Sequence, residues 1–135
     1  MGTWSAEPFG NDTAADWAYG LEETNDFSLI QETLDAVVQE EDYLDADLAQ
    51  EAVAAAETLA KLLGRGSQVD AYTESVDEWV QSVSLKPDAK LLATADKALE
   101  RILADESELK ELWEEGDEGG EWTTSIRDLQ KRLRS

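Results

Sequence analysis

Cysteine and histidine are both missing from this chain of 135 residues. Without cysteine there is no disulfide, no thiolate nucleophile and no thiolate metal site. Without histidine the commonest general base and a principal zinc ligand are gone, and serine and cysteine triads of the usual kind are excluded. Proline is nearly absent: Pro8 and Pro87 are the only two. Each stands where an element is expected to start, and Pro87 suits the first turn of a helix. No run approaches the ~18 consecutive apolar residues of a membrane-spanning helix. Met1 is not followed by a charged stretch and an apolar stretch, so no secretory leader is expected. Ala6 stands where the myristoylation pattern wants Ser or Thr. The expectation is a soluble, cytoplasmic protein with no cofactor.

Bases are also scarce. The chain carries 32 acids against 11 bases, a net charge of −21. The imbalance is uneven. Residues 1–64 hold fifteen acids and one base, Lys61, while residues 65–135 hold seventeen acids and ten bases. A charge of this sign repels nucleic acid, whose binding rests on cations displacing counterions, and it repels anionic lipid surfaces. It keeps a protein soluble, and it attracts basic proteins and speeds their encounter. The expected partner is therefore a basic protein, with no role for nucleic acid or membrane. The acids Glu40, Glu41, Asp42, Asp45 and Asp47 form the densest run in the acidic half and are the candidate contact residues.

Apolar spacing makes the chain all-α, a single-domain compact bundle of about six or seven helices, several of them short. An irregular N-terminal strap, residues 1–10, precedes them. Asn11, Asp12 and Thr13 are all good N-caps for a short helix to about Tyr19, ended by Gly20. Ser28 and Gln31 have capping-box spacing and open a helix to about Glu41, with Ile30, Leu34, Val37 and Val38 on one face. Asp45 or Asp47 caps a helix that runs to Leu63 and stops at Gly64. Its apolar stripe is wide and rich in alanine, which lets helix axes approach closely, so it is expected at the centre. A helix with Tyr72, Val76, Trp79, Val80 and Val83 follows, then one with Leu91, Leu92, Ala95, Leu99, Ile102 and Leu103. A short helix spans 107–115 and is broken by Gly116, Gly119 and Gly120. The last carries Trp122, Ile126, Leu129 and Leu133, with arginines near its C-terminus that suit the helix dipole.

The remaining route to catalysis is carboxylates holding magnesium or manganese, as in a divalent-metal-dependent hydrolase of nucleotides or phosphate esters. Pairs at helical spacing exist: Glu32 with Asp35, Glu74 with Asp77 and Glu78, Glu108 with Glu111. At about 100° per residue most of them face away from the apolar stripes. Glu51 and Asp96 lie nearer stripe edges but are isolated. No catalytic and no metal residue is assigned. The acidic segment 42–47 lacks the glycine of a calcium loop. Gly64-Arg65-Gly66-Ser67 follows a helix and reads as a C-cap in preference to an anion nest. The bases Arg127, Lys131, Arg132 and Arg134 are expected to pair with the protein's own acids. Trp79, Trp113 and Trp122 fall on apolar faces and belong to the core. Trp4 and Phe9 lie on no stripe. Either they strap the N-terminus to the bundle, or with Asn11, Asp12, Asp16 and Trp17 they line an N-terminal pocket for a small molecule. The strap is the better supported, because buried aromatics dominate core energetics.

The opening Gly2-Thr3-Trp4, Pro8-Phe9, Asn11-Asp12 and Ala14-Ala15-Asp16-Trp17 resembles the start of the bacterial family called domain of unknown function 4259. Leu44 to Leu63, Ser107 to Glu115, Trp122 and Arg127-Asp128-Leu129 are similar to it as well. The resemblance implies a bacterial origin and a small domain covering nearly the whole chain. It implies no activity and no catalytic residues. Charge, size and the missing catalytic groups favour a non-catalytic acidic protein-binding module, in its sharpest form an immunity or antitoxin-like inhibitor of a basic enzyme.

Overall fold

A computed structural model describes residues 9–66, 68, 73–83, 85–116 and 119–134. Trp4, Pro8, Ser67 and Tyr72 lie outside the described residues. Seven helices run in order: α1 Asp12–Glu22, α2 Ser28–Val38, α3 Ala46–Leu62, α4 Glu74–Ser82, α5 Ala89–Leu103, α6 Glu108–Glu114 and α7 Gly119–Arg134. No helix among the described residues is long and apolar enough to cross a membrane.

Helix α3 is the hub. It packs against each of the other six helices, and every residue from Ala52 to Ala60 is buried. Alanine explains this encirclement, since a methyl side chain lets neighbours approach on every side. At its C-terminus the Gly64 N–H bonds the Lys61 carbonyl, and the Arg65 N–H reaches back to the Ala60 carbonyl. Gly64 has φ +78. That is a Schellman stop, which needs a left-handed residue.

Local signals place most helix starts, with four corrections. Of the three offered caps for α1, Asn11 is used, its Oδ1 accepting the Ala14 N–H at 2.7 Å. The helix then passes through Gly20 to Glu22, because Leu21 is fully buried and its burial outweighs the glycine's cost. The capping box at Ser28 does not form. Asp26 instead accepts both the backbone N–H and the hydroxyl of Ser28, and Gln31 turns to Asp35. Pro87 lies before α5 and not in its first turn, for Asp88 is the N-cap and accepts the Leu91 N–H. Gly119 and Gly120 begin α7 where a break was expected. Gly119 sits against α6 so closely that a Cβ there would lie 3.0 Å from the Trp113 carbonyl oxygen. The approach stacks Trp113 on Trp122, with centroids 6.4 Å apart and planes 7° from parallel.

One polar cluster crosses the otherwise apolar centre. Glu57 is fully buried on α3, and its Oε1 accepts from Arg132 Nη1 of α7 at 2.8 Å. Its Oε2 accepts the Gln68 N–H at 3.2 Å. One turn further along, Lys61 donates to the Gln68 carbonyl and to Asp77 of α4. The Gln68 side-chain oxygen accepts the Phe9 N–H at 2.8 Å. Phe9, the α3–α4 connection, α4 and α7 are thereby tied to one face of α3. Burying these charges is tolerable because each is paired and hydrogen-bonded.

Candidate functional site: an acidic ridge held by backbone clamps

Helix α2 ends at Val38, three residues short of the expected Glu41. The segment beyond it is held from another helix. The Arg101 guanidinium of α5 donates to the carbonyls of Glu40, Asp42, Asp105 and Glu106. These carbonyls lie past the last i→i−4 bond of α2, Gln39 N–H to Asp35, so the arginine holds the chain after it has left the helix. Two segments distant in sequence are thus gathered on one cation. Leu44 and Ser107 form a parallel bridge beside it, with the Leu44 N–H bonded to the Glu106 carbonyl at 2.8 Å and the Glu108 N–H to the Leu44 carbonyl at 2.9 Å. Glu106, whose carbonyl accepts from Leu44 and from Arg101, lies in the left-handed region at φ 60, a conformation costly for a residue with a Cβ.

The same contacts cap α3. Asp45 accepts from the Asp47 and Leu48 N–H groups, and Glu108 reaches across from α6 to accept the Ala46 N–H at 2.8 Å. Three orphan donors at one helix end are met by two carboxylates, which also face the positive end of the dipole. Helical spacing alone sets Glu108 on the flank of the Leu109, Leu112 and Trp113 stripe of its own helix. Its work as a cap for another helix is visible only in the fold.

The five run acids therefore have different tasks. Asp45 is an N-cap. Glu40 accepts the Asp42 N–H, and Asp47 accepts from the Thr13 hydroxyl. The carboxylates of Glu41 and Asp42 are exposed and have no partner among the described residues. Segments 40–47 and 101–115 together hold eleven acids and two bases. Of those bases, Arg101 is spent on carbonyls and Lys110 lies 3.6 Å from Asp105. The single arginine at the centre therefore organises the backbone without forming an ion pair with any acid among the described residues.

Tyr43 stands among these acids with about half its surface exposed. Its hydroxyl donates to Glu111 at 2.8 Å. That bond, with partial desolvation and the charges of Glu111, Glu108 and Glu115, pushes the phenol pKa up to about 12. Tyr43 and the α6 acids were not singled out as contact residues from sequence. An exposed tyrosine inside an acidic run was the available signal.

Glu51, one turn into α3 from the ridge, has its pKa raised by burial and then by the charges of Asp47 and Asp45. The native state thus holds this proton more tightly than the unfolded chain does. Its contribution is present below the unfolded carboxyl pKa and is lost as pH rises through the folded value. Glu51→Gln is expected to raise the urea midpoint at neutral pH and to leave it unchanged at a pH below the carboxylate range. An equal shift at both pH values would show that charge is not the cause.

The N-terminal residues are arranged otherwise. Phe9 is fully buried, Asn11 caps α1, and Trp17 is buried with its indole N–H on the Thr33 hydroxyl at 2.9 Å. Asp12 and Asp16 are exposed on α1. The described rings in this group are covered by the bundle. Among the described residues no three carboxylates converge on a site able to hold a metal ion. Asp77 is engaged by Lys61 and Thr73, and Glu32, Glu74, Glu78 and Glu111 are exposed. The C-terminal arginines do pair with the protein's own acids: Arg127 with Glu100, Arg132 with Glu57 and Asp128, and Arg134 with Asp96.

Fold and site together define an all-helical bundle whose most developed polar surface is a backbone-clamped acidic ridge. Residues 2–125 match the model of the family described as "Domain of unknown function (DUF4259)", and the chain belongs to that family. Comparison with curated proteins and comparison with solved structures each gave no match.

Proposed function

We propose that this chain is a non-catalytic acidic module that binds a basic protein through the ridge formed by residues 40–47 and 105–115. Its sharpest form is an immunity or antitoxin-like inhibitor in a bacterial cytoplasm, covering the cationic surface of an enzyme. One observation carries the reading. The ridge's central base, Arg101, satisfies backbone carbonyls, which holds the backbone in place and leaves the surrounding carboxylates without a guanidinium partner from it. Fixed charge favours a partner more than mobile charge does, because less side-chain and loop freedom is lost on binding. The half-exposed Tyr43 supplies the amphipathic ring typical of an interface centre.

The test compares two variants of equal charge. In one, Glu41, Asp42, Glu106 and Glu115 become lysine, which spares the capping residues Asp45 and Glu108. In the other, Glu22, Glu23, Glu32 and Glu78 become lysine. Captures from bacterial lysate at physiological salt are compared with those of the unchanged chain. The expected result is a basic protein retained by the unchanged chain and the second variant and lost by the first, with its association rate down at least about tenfold. Equal loss in both variants would reduce the ridge to general acidity, and capture of generic basic proteins alone would overturn the reading.

A further inference from the structure

Helices α2 and α5 run side by side in the same direction. Arg101 joins their C-terminal ends to the ridge. At their N-terminal ends lies a cleft of about 520 Å³ lined by Phe27, Gln31 and Asp35 from α2 and its approach, and by Lys86, Asp88, Lys90, Leu91 and Thr94 around the start of α5. Its volume falls in the range of small-molecule sites.

Both signs of charge line this cleft. Lys61, Arg65, Arg101, Arg127, Arg132 and Arg134 donate to carboxylates or carbonyls, and Lys110 lies 3.6 Å from Asp105. The exposed ammonium groups of Lys86 and Lys90, like that of Lys97, do neither among the described residues, although two carboxylates line the same cleft. Those carboxylates are held by neutral donors instead. Asp88 accepts the Leu91 N–H at 2.8 Å as the α5 cap, and Asp35 accepts the Gln31 amide at 3.0 Å. Each is held in place by that bond, and neither forms an ion pair with a lysine among the described residues. Both signs of charge therefore face one cleft without cancelling by contact, over the apolar surface of Phe27 and Leu91.

We propose that this cleft binds a small zwitterion of the α-amino-acid type with an apolar side chain. The ligand's carboxylate bonds Lys86 and Lys90, its ammonium bonds Asp35, and its side chain lies on Phe27 and Leu91. A chain of net charge −21 repels a simple anion over a long range. A zwitterion has no net charge to be repelled, yet it forms charge-assisted bonds of both signs at short range. The inference is independent of the ridge.

The ¹⁵N-labelled protein is titrated with L-phenylalanine, with N-acetyl-L-phenylalanine, which has lost the cation, and with L-phenylalaninamide, which has lost the anion. Saturable shifts are expected with phenylalanine at residues 27–35 and 85–94, and each blocked analogue should bind at least about tenfold more weakly. Asp35→Asn and the double variant Lys86→Gln, Lys90→Gln change surface groups and should retain the native spectrum while losing saturation. The proposal is overturned by an absence of saturable shifts at about 20 mM phenylalanine, by equal binding of either analogue, or by variants that bind as the original does.

Discussion

Arg132→Ala is expected to destabilise the protein by about 3–5 kcal/mol, the range for removing one partner of a buried ion pair. Glu57 is fully buried, and the Arg132 side chain is only 17% exposed, so solvent screens the pair little. The substitution also removes the bond from Arg132 to the Arg65 carbonyl, which holds the connection after α3. Two comparisons give the number meaning. Arg134→Ala breaks an exposed pair with Asp96 and is expected to cost no more than about 1 kcal/mol. The double variant Glu57→Leu, Arg132→Met removes both charges and should recover much of the loss, because the penalty comes from an unbalanced buried charge. Urea denaturation of the three variants measures this. A cost for Arg132→Ala no larger than that of Arg134→Ala would show that the carboxylate is balanced without the guanidinium.

A chain ending at Ser125, where the family match stops, is expected not to fold. The boundary falls inside α7. It removes Ile126, Leu129 and Leu133, all buried, together with Gln130 and Arg132. Burying each of the three apolar side chains is worth roughly 1.5–3 kcal/mol. With the loss of the Glu57 partner the sum reaches the ~5–15 kcal/mol of a whole domain's stability. Circular dichroism and the dispersion of the amide spectrum report the outcome. A truncated chain with native dispersion would mean that the first part of α7 suffices to close the core. A matching chain ending at Leu133 keeps every buried residue of α7 and is expected to fold.

Helical class, the order of the elements and the central place of α3 were legible in the sequence, because they follow from the 3.6-residue period and from composition within one segment. So were Asn11 and Asp45 among the offered caps, Gly64 as a stop and the absence of histidine and cysteine chemistry. What failed locally failed for a tertiary reason. Gly20 does not end α1 because Leu21 has a core to enter. Gly119 starts a helix because it can approach Trp113. Beyond the end of α2 the chain is held by an arginine 61 residues away, which takes the Glu40 carbonyl.

The candidate sites divide in the same way. Net charge, its bias to the first half and the acidic run at 40–47 are properties of the sequence alone, since charges add regardless of conformation. Which acids cap helices, which remain exposed, and that 105–115 lies beside 40–47 were decided only by the tertiary structure. Helical spacing reports which side of its own helix a residue occupies and carries no record of which other helix it meets. The buried Glu57 marks that limit most clearly. On the sequence it is one of 32 acids. Only the encirclement of α3 by six helices removes it from water and makes Arg132 its necessary counter-charge.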